Sequence, residues 1–367
     1  MKKQRYTYLK IGFISLLLHW VFLWIGTCLV KGVCLTDFFH MIYEHASNAG
    51  DIPHYVEIAT NWYHATGEHA NNIAFYPLFP ALMKILYVIV RNYIVAGMII
   101  SNVCTFIAGI YLYRLMKEDY DDTRAWMAVF LLTVFPVGMF MIEAYTESLF
   151  IMLTIMGLFY IRKRKWIVVG VVGMLAALSR SQGIVLLVPA VYELCVVFRE
   201  KKERTWKGLA LGFIPVGTLI YLLINQIVFG HWGAFLEYQA AEPWYNKAHW
   251  IADNLAAHYS MALQYPYLGT IIYWAQIILY FAVMGILFYG LRNKVRTSYI
   301  AWGGAYLFLT YLHGWMISGP RYVMSCVPIY IILAACKKKE VGYGCLVASS
   351  ILAVIFSMWY IQGQAIL

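Results

Sequence analysis

The chain holds 367 residues, of which 62% are hydrophobic and only 13% charged. A soluble domain carries roughly 45–50% apolar and about 25% charged residues, so this composition excludes an ordinary water-soluble protein and puts the chain in the membrane class. The formal net charge of +10 does not point to nucleic acid, because the basic residues gather in short clusters between apolar runs, the pattern that fixes membrane orientation.

A basic N-terminus and Lys10 lead into an apolar run over 11–30. Signal peptides begin this way, but about 20 apolar residues are enough to span, and no small-residue cleavage site follows. The run is therefore expected to be a retained first helix. Cys28 and Cys34 flank its outer end and could pair. Cys104, Cys195, Cys326, Cys336 and Cys345 lie in apolar runs and read as small buried hydrophobes. Residues 49–63 repeat Ile52, Tyr55, Ile58, Ala59 and Trp62 at helical spacing, which predicts an amphipathic helix lying on the membrane. Residues 75–90 are apolar enough to span, yet a span there would invert every later loop. They are expected to form a re-entrant or interfacial helix entered through Pro77 and Pro80.

Further apolar runs fall near 93–114, 125–142, 148–161, 166–178, 184–198, 207–228, 268–291, 298–313, 322–336 and 342–361. The expectation is an all-α polytopic membrane protein of about eleven transmembrane helices, one membrane domain over 1–367. Its outer loops are 31–92, carrying juxtamembrane helices, and 229–267. Basic clusters at the N-terminus, 114–124, 162–165, 199–207, 292–296 and 337–339 all fall on one side of such a bundle. Placed in the cytoplasm, they put the N-terminus inside and the C-terminus outside. Every histidine except His19 then lies on the outer face.

Four outer-face clusters carry residue types suited to chemistry. Asp51 opens the amphipathic helix, with His54 and Glu57 close behind; it is either a helix N-cap or a carboxylate facing a lipid-linked head group. Glu143 and Glu147 lie four apart at a helix junction, on one side if the helix continues. Arg180 breaks a long apolar stretch, and Arg321 stands alone at an outer helix end. Isolated cations at the edge of an apolar bundle need an anionic partner. The two arginines could clamp a phosphate or pair with Glu143 and Glu147. The histidines have no metal-ligand spacing, so no metal site is expected, and the chain has no nucleotide-binding glycine loop.

In order, the chain reads Asp51-x-x-His54-Tyr55-x-x-Ile58-Ala59, then Ala74-Phe-Tyr-Pro-Leu-Phe-Pro80, Ala144-Tyr-Thr-Glu-Ser-Leu-Phe150, Ser179-Arg-Ser-Gln-Gly183 and Gly319-Pro-Arg-Tyr322. This series resembles the PIG-V family of glycosyltransferases, the GPI mannosyltransferase II type and its bacterial relatives, within the GT-C superfold. It departs from the family in having Gly50 where tryptophan commonly precedes the aspartate, and Asn61-Trp62-Tyr63 in place of a Gly-Tyr ending. The resemblance implies inverting transfer of a sugar, mannose or another hexose, from a polyprenyl-phosphate donor (dolichyl-phosphate mannose in eukaryotes) to the hydroxyl of a lipid or glycan acceptor on the extracytoplasmic face. Asp51 matches the family's proposed general base, Arg321 its Pro-Arg-Tyr arginine and Arg180 its short Ser-Arg turn, and both arginines are expected to bind the donor phosphate. His54, Tyr55, Glu143, Glu147 and Tyr322 are expected to support or bind substrate. No cofactor is expected, because the sugar arrives already activated on a lipid and arginine supplies the electrostatics. The expected location is a multi-pass protein, of the plasma membrane in a prokaryote. The competing reading is a transporter or flippase of a lipid-linked sugar, which predicts internal symmetry and a midplane site.

Overall fold

The computed structural model describes residues 2–32, 35–48, 50–201, 206–265, 270–314 and 318–363. Their regular secondary structure is helical, apart from one isolated antiparallel bridge between Ala248 and His313. Cys34, which could pair with Cys28, lies outside the described residues.

The first apolar run forms α1 (Lys2–Lys31), which packs between α5 (Tyr93–Met116) and α17 (Lys339–Ile361). Between α1 and α5 lie three shorter helices, α2 (Leu35–Asn48), α3 (Ile52–Asn61) and α4 (Leu78–Val90). Ile52, Tyr55, Ile58 and Ala59 are the buried face of α3, as their spacing predicts. α4 begins just after Pro77, with Pro80 in its first turn, where a missing N–H costs no internal bond. Thirteen residues at 1.5 Å each give about 20 Å, short of the ~30 Å hydrocarbon core. Its outward side, with Ile85, Val88 and Ile89, is exposed and apolar.

The bundle continues with α6 (Asp122–Thr133), α7 (Glu147–Arg162), α8 (Trp166–Ser179), α9 (Leu187–Lys201) and α10 (Phe213–Phe229). Asn92 and Asp121 cap α5 and α6 by accepting from the backbone N–H of Val95 and Arg124. The second long loop folds into α11 (Ala234–Ala240) and α12 (Ile251–Gln264). α13 (Ala275–Arg292), α14 (Thr297–Thr310), α15 (Gly319–Met324) and α16 (Pro328–Ala334) follow, ahead of α17.

By length and apolar composition, six described helices can cross a membrane: Gln4–Lys31, Tyr93–Met116, Ser181–Glu200, Trp206–Phe229, Ile272–Arg292 and Glu340–Ile361. Two expected spans are broken. The run 125–142 stops being α-helical at Thr133, ahead of Pro136, and resumes as a 3-10 turn at Gly138–Met141. The run 322–336 breaks ahead of Pro328 into α15 and α16. The principal core runs through Phe150, Trp302, Tyr306 and Tyr330, and Trp302 and Tyr306 stack at 4.8 Å.

Candidate active site

Four chain breaks meet at one point: the start of α3, the turn before α7, the gap between α8 and α9, and α15. Asp51 stands at the N-cap position of α3 but makes no side-chain capping bond. Its Oδ2 instead accepts from Arg321 Nη2 at 2.7 Å. Arg321 Nε donates to Glu147 Oε1 at 2.9 Å, and Arg180 Nη1 donates to the same oxygen at 2.9 Å. Two carboxylates and two guanidiniums thus form one continuous cluster with no net formal charge.

Local sequence explains each placement. α8 ends at Ser179, Arg180 is extended, and a 3-10 turn over Ser181–Leu186 folds back on α8. At Gly183 a Cβ would lie 2.1 Å from the Ala176 carbonyl, so only glycine lets the turn close this tightly and aim Arg180 inward. Gly50 has φ +49, and a Cβ there would sit 2.8 Å from the Tyr145 hydroxyl. The ring that fills this space also braces the cluster. The Arg321 guanidinium lies 5.0 Å from the Tyr145 centroid and 4.5 Å from Phe140. Arg180 lies 5.1 Å from the Tyr322 ring.

Burial opposes ionisation at Arg180, but the adjacent Glu147 carboxylate outweighs it and raises the guanidinium above its ordinary pKa. Glu147 is fully buried and holds both arginines through Oε1, while Oε2 has no hydrogen-bond partner among the described residues. The Tyr55 hydroxyl stands 3.4 Å from Thr146 Oγ1, and burial followed by the neighbouring Asp51 raises it well above the usual phenol range.

Asp51, Tyr55, Arg180, Arg321 and Tyr322 line a single cavity of about 350 Å³. That falls at the small end of small-molecule sites, about 300–1,000 Å³. All five ordered sequence motifs reach this cavity: the second contributes Phe75 and Tyr76, the third Thr146, and the fourth Ser179 to Gln182. Three expected site residues do not line it: Glu147 is fully buried and reaches it only through the two arginines it holds, and the others are His54 and Glu143. His54 sits behind the wall, with Nδ1 2.7 Å from Asn72 Oδ1 and its ring stacked on Phe75 at 4.9 Å. Glu143 faces away from both arginines. The segment 143–146 is a turn and α7 starts at Glu147, so the four-residue helical spacing does not apply. Glu143 accepts from the Tyr360 hydroxyl at 2.5 Å, and burial pushes it up to about 8.

Sequence reasoning missed the fourth wall. Pro243, Trp244 and Asn246 come from the second outer loop, and His313 follows α14. Asn246 and His313 join side chain to side chain at 2.7 Å, beside the Ala248–His313 bridge. Burial, then the positive Arg180, hold His313 down at about 4, so it is neutral at pH 7. The aromatic density of that loop was the available signal, but aromatic residues also mark membrane interfaces.

The family model described as dolichyl-phosphate-mannose-protein mannosyltransferase matches residues 69–229. A GPI mannosyltransferase 2 of Cryptococcus neoformans var. neoformans serotype D is 28% identical over 146 residues, covering 36% of this chain and 33% of the relative. A GPI mannosyltransferase 2 of Yarrowia lipolytica is 23% identical over 121 residues, 33% of this chain and 34% of the relative. The chain thus spans about a third of the length of the curated relatives it matches. The matched segment runs from the second motif through α10, so the likeness to membrane mannosyltransferases covers the part of the chain that contributes the second, third and fourth motifs to the cavity.

Proposed function

We propose that the protein is an inverting mannosyl- or hexosyltransferase that takes its sugar from a polyprenyl-phosphate donor and passes it to an acceptor hydroxyl on the extracytoplasmic face. The observation carrying this reading is that Asp51, Arg180 and Arg321 open into one cavity. Asp51 is held by Arg321 through Oδ2, which leaves Oδ1 to accept the acceptor's proton. As that proton leaves, the acceptor oxygen attacks the anomeric carbon from the face opposite the lipid phosphate. The bond from the anomeric carbon to the phosphate oxygen breaks, and the electron pair stays on the departing polyprenyl phosphate. Arg180 and Arg321 offset the negative charge that grows there.

Arg321 contacts both carboxylates, so it couples the two halves of the reaction. It holds Asp51 in position before transfer and stands beside the leaving group during it. The wall of Phe75, Tyr76 and Trp244 supplies apolar faces of the kind sugars lie against. Placement of the site at one end of the bundle, with a carboxylate free to take a proton, favours transfer over transport of a lipid-linked sugar. The acceptor is a lipid or glycan hydroxyl within reach of the membrane surface. Purified protein in vesicles, given labelled polyprenyl-phosphate mannose and a glycolipid acceptor, is expected to release polyprenyl phosphate and label the acceptor. Labelling from a nucleotide sugar, with none from the lipid-linked one, would reject the donor class.

A further inference from the structure

The far end of the bundle carries a second polar cavity that the transfer reaction does not use. α7 runs from Glu147 at the active site to Arg162, and at about 1.5 Å per residue its last turn lies some 20 Å away. There a cavity of about 420 Å³ opens between the first turns of α1, the last turn of α5 and the turn joining α7 to α8. Its cations are Arg114, Lys117 and Lys163, against a single acid, Glu118. Glu118 is taken by Lys163 at 2.7 Å, and Lys117 approaches Asp122 at 3.7 Å.

Arg114 differs from both lysines. Among the described residues no carboxylate lies within ion-pair distance of it. It is held by rings instead, 4.5 Å from Phe159, 4.8 Å from Tyr111 and 5.6 Å from Tyr8. Three aromatic faces orient a guanidinium without neutralising it, which leaves its N–H fork free for an oxyanion. Beside the cavity the surface of α1 is apolar. Leu9, Phe13 and Leu17 are exposed at helical spacing, and Phe13 rests edge-on against Phe106 of α5 at 5.1 Å. A cationic notch above an exposed apolar stripe at the end of a membrane helix matches a lipid with an anionic head and acyl tails.

We propose that this cavity binds the phosphate of an anionic phospholipid at the end of the bundle opposite the active site. The phosphate sits on Arg114 with Lys117 alongside, and the acyl chains run along Phe13 and Leu17. A soluble phosphate would make the first contact and gain nothing from the second. The site is independent of the sugar-transfer reading and stands or falls without it.

The test is native mass spectrometry of the full chain released from vesicles of phosphatidylglycerol and phosphatidylcholine with matched acyl chains. Phosphatidylglycerol is expected to be retained preferentially, and Arg114→Gln is expected to cut that retention by about fivefold or more, the worth of one basic residue at a membrane surface. Where Arg114→Gln does not fold, Lys117→Gln leaves the three-ring stack intact and is expected to give a loss of the same order. Equal retention of the two lipids would overturn the proposal, as would retention unchanged in a folded variant. Displacement of phosphatidylglycerol by inorganic phosphate at equal concentration would also overturn it, by assigning the cavity to a soluble anion.

Discussion

Glu147 and Glu143 are four positions apart, equally buried, and electrostatically unlike. Glu147 sits between two guanidiniums, so its charge is compensated, and removing one member of such a buried set leaves the others uncompensated at about 3–5 kcal/mol. Glu143 has only the Tyr360 hydroxyl and holds its proton to about pH 8. Its ordinary pKa, about 4.3, applies when the chain unfolds. The folded form therefore binds the proton more tightly, and that contribution is complete at acid pH and lost as the pH rises through about 8. Glu143→Gln should remove the dependence. Its melting temperature relative to the unsubstituted protein is expected to rise between about pH 5 and about pH 8.5; a constant difference would show that Glu143 is not buried protonated.

At the scale of elements, the site is made by interruptions of helices. Arg180 points inward because α8 stops and the chain turns back through Gly183, against the α8 backbone. Gly183→Ala must push the turn outward, since the atoms it would meet belong to the main chain. Transfer is expected to fall by about 10²-fold, the typical cost of displacing one charge-stabilising group, with less effect on helix content. Unchanged transfer would mean that the position of Arg180 is not fixed by this turn. The same interruptions set what was legible in the sequence. Lone charges in apolar runs, at Asp51, Arg180 and Arg321, marked the site, because burying a charge there demands a partner. The partner was not legible: only a turn at 143–146, instead of continuous helix, separates Glu147 from Glu143. The breaks at Pro136 and Pro328 lay inside runs that hydropathy alone reads as unbroken. His54 was drawn into the site by its neighbours in sequence, yet the helix turns it behind Phe75.

Across the whole molecule, the two ends of the bundle differ in kind. The end with the active site carries paired charges and aromatic walls. The far end carries Arg162 with Asp119 at 2.9 Å, Lys163 with Glu118, and Arg296 with Glu193 at 2.7 Å, and among the described residues Arg114 has no carboxylate within ion-pair distance. The proposed orientation puts that basic end in the cytoplasm. In a background without native cysteines, an impermeant maleimide applied from outside is expected to label Trp244→Cys and spare Arg164→Cys; the reverse would place the active site inside.

In the proposed mechanism the transfer reaction rests on one carboxylate, Asp51. The most direct measurement is the rate of sugar transfer by Asp51→Asn, purified and shown to fold, from polyprenyl-phosphate mannose. The amide keeps the shape and the contact to Arg321 but cannot take a proton, so transfer is expected to fall by about 10²–10⁴-fold, the usual share of general-base catalysis. A rate equal to that of the unsubstituted protein would contradict the assignment of Asp51 and the mechanism built on it.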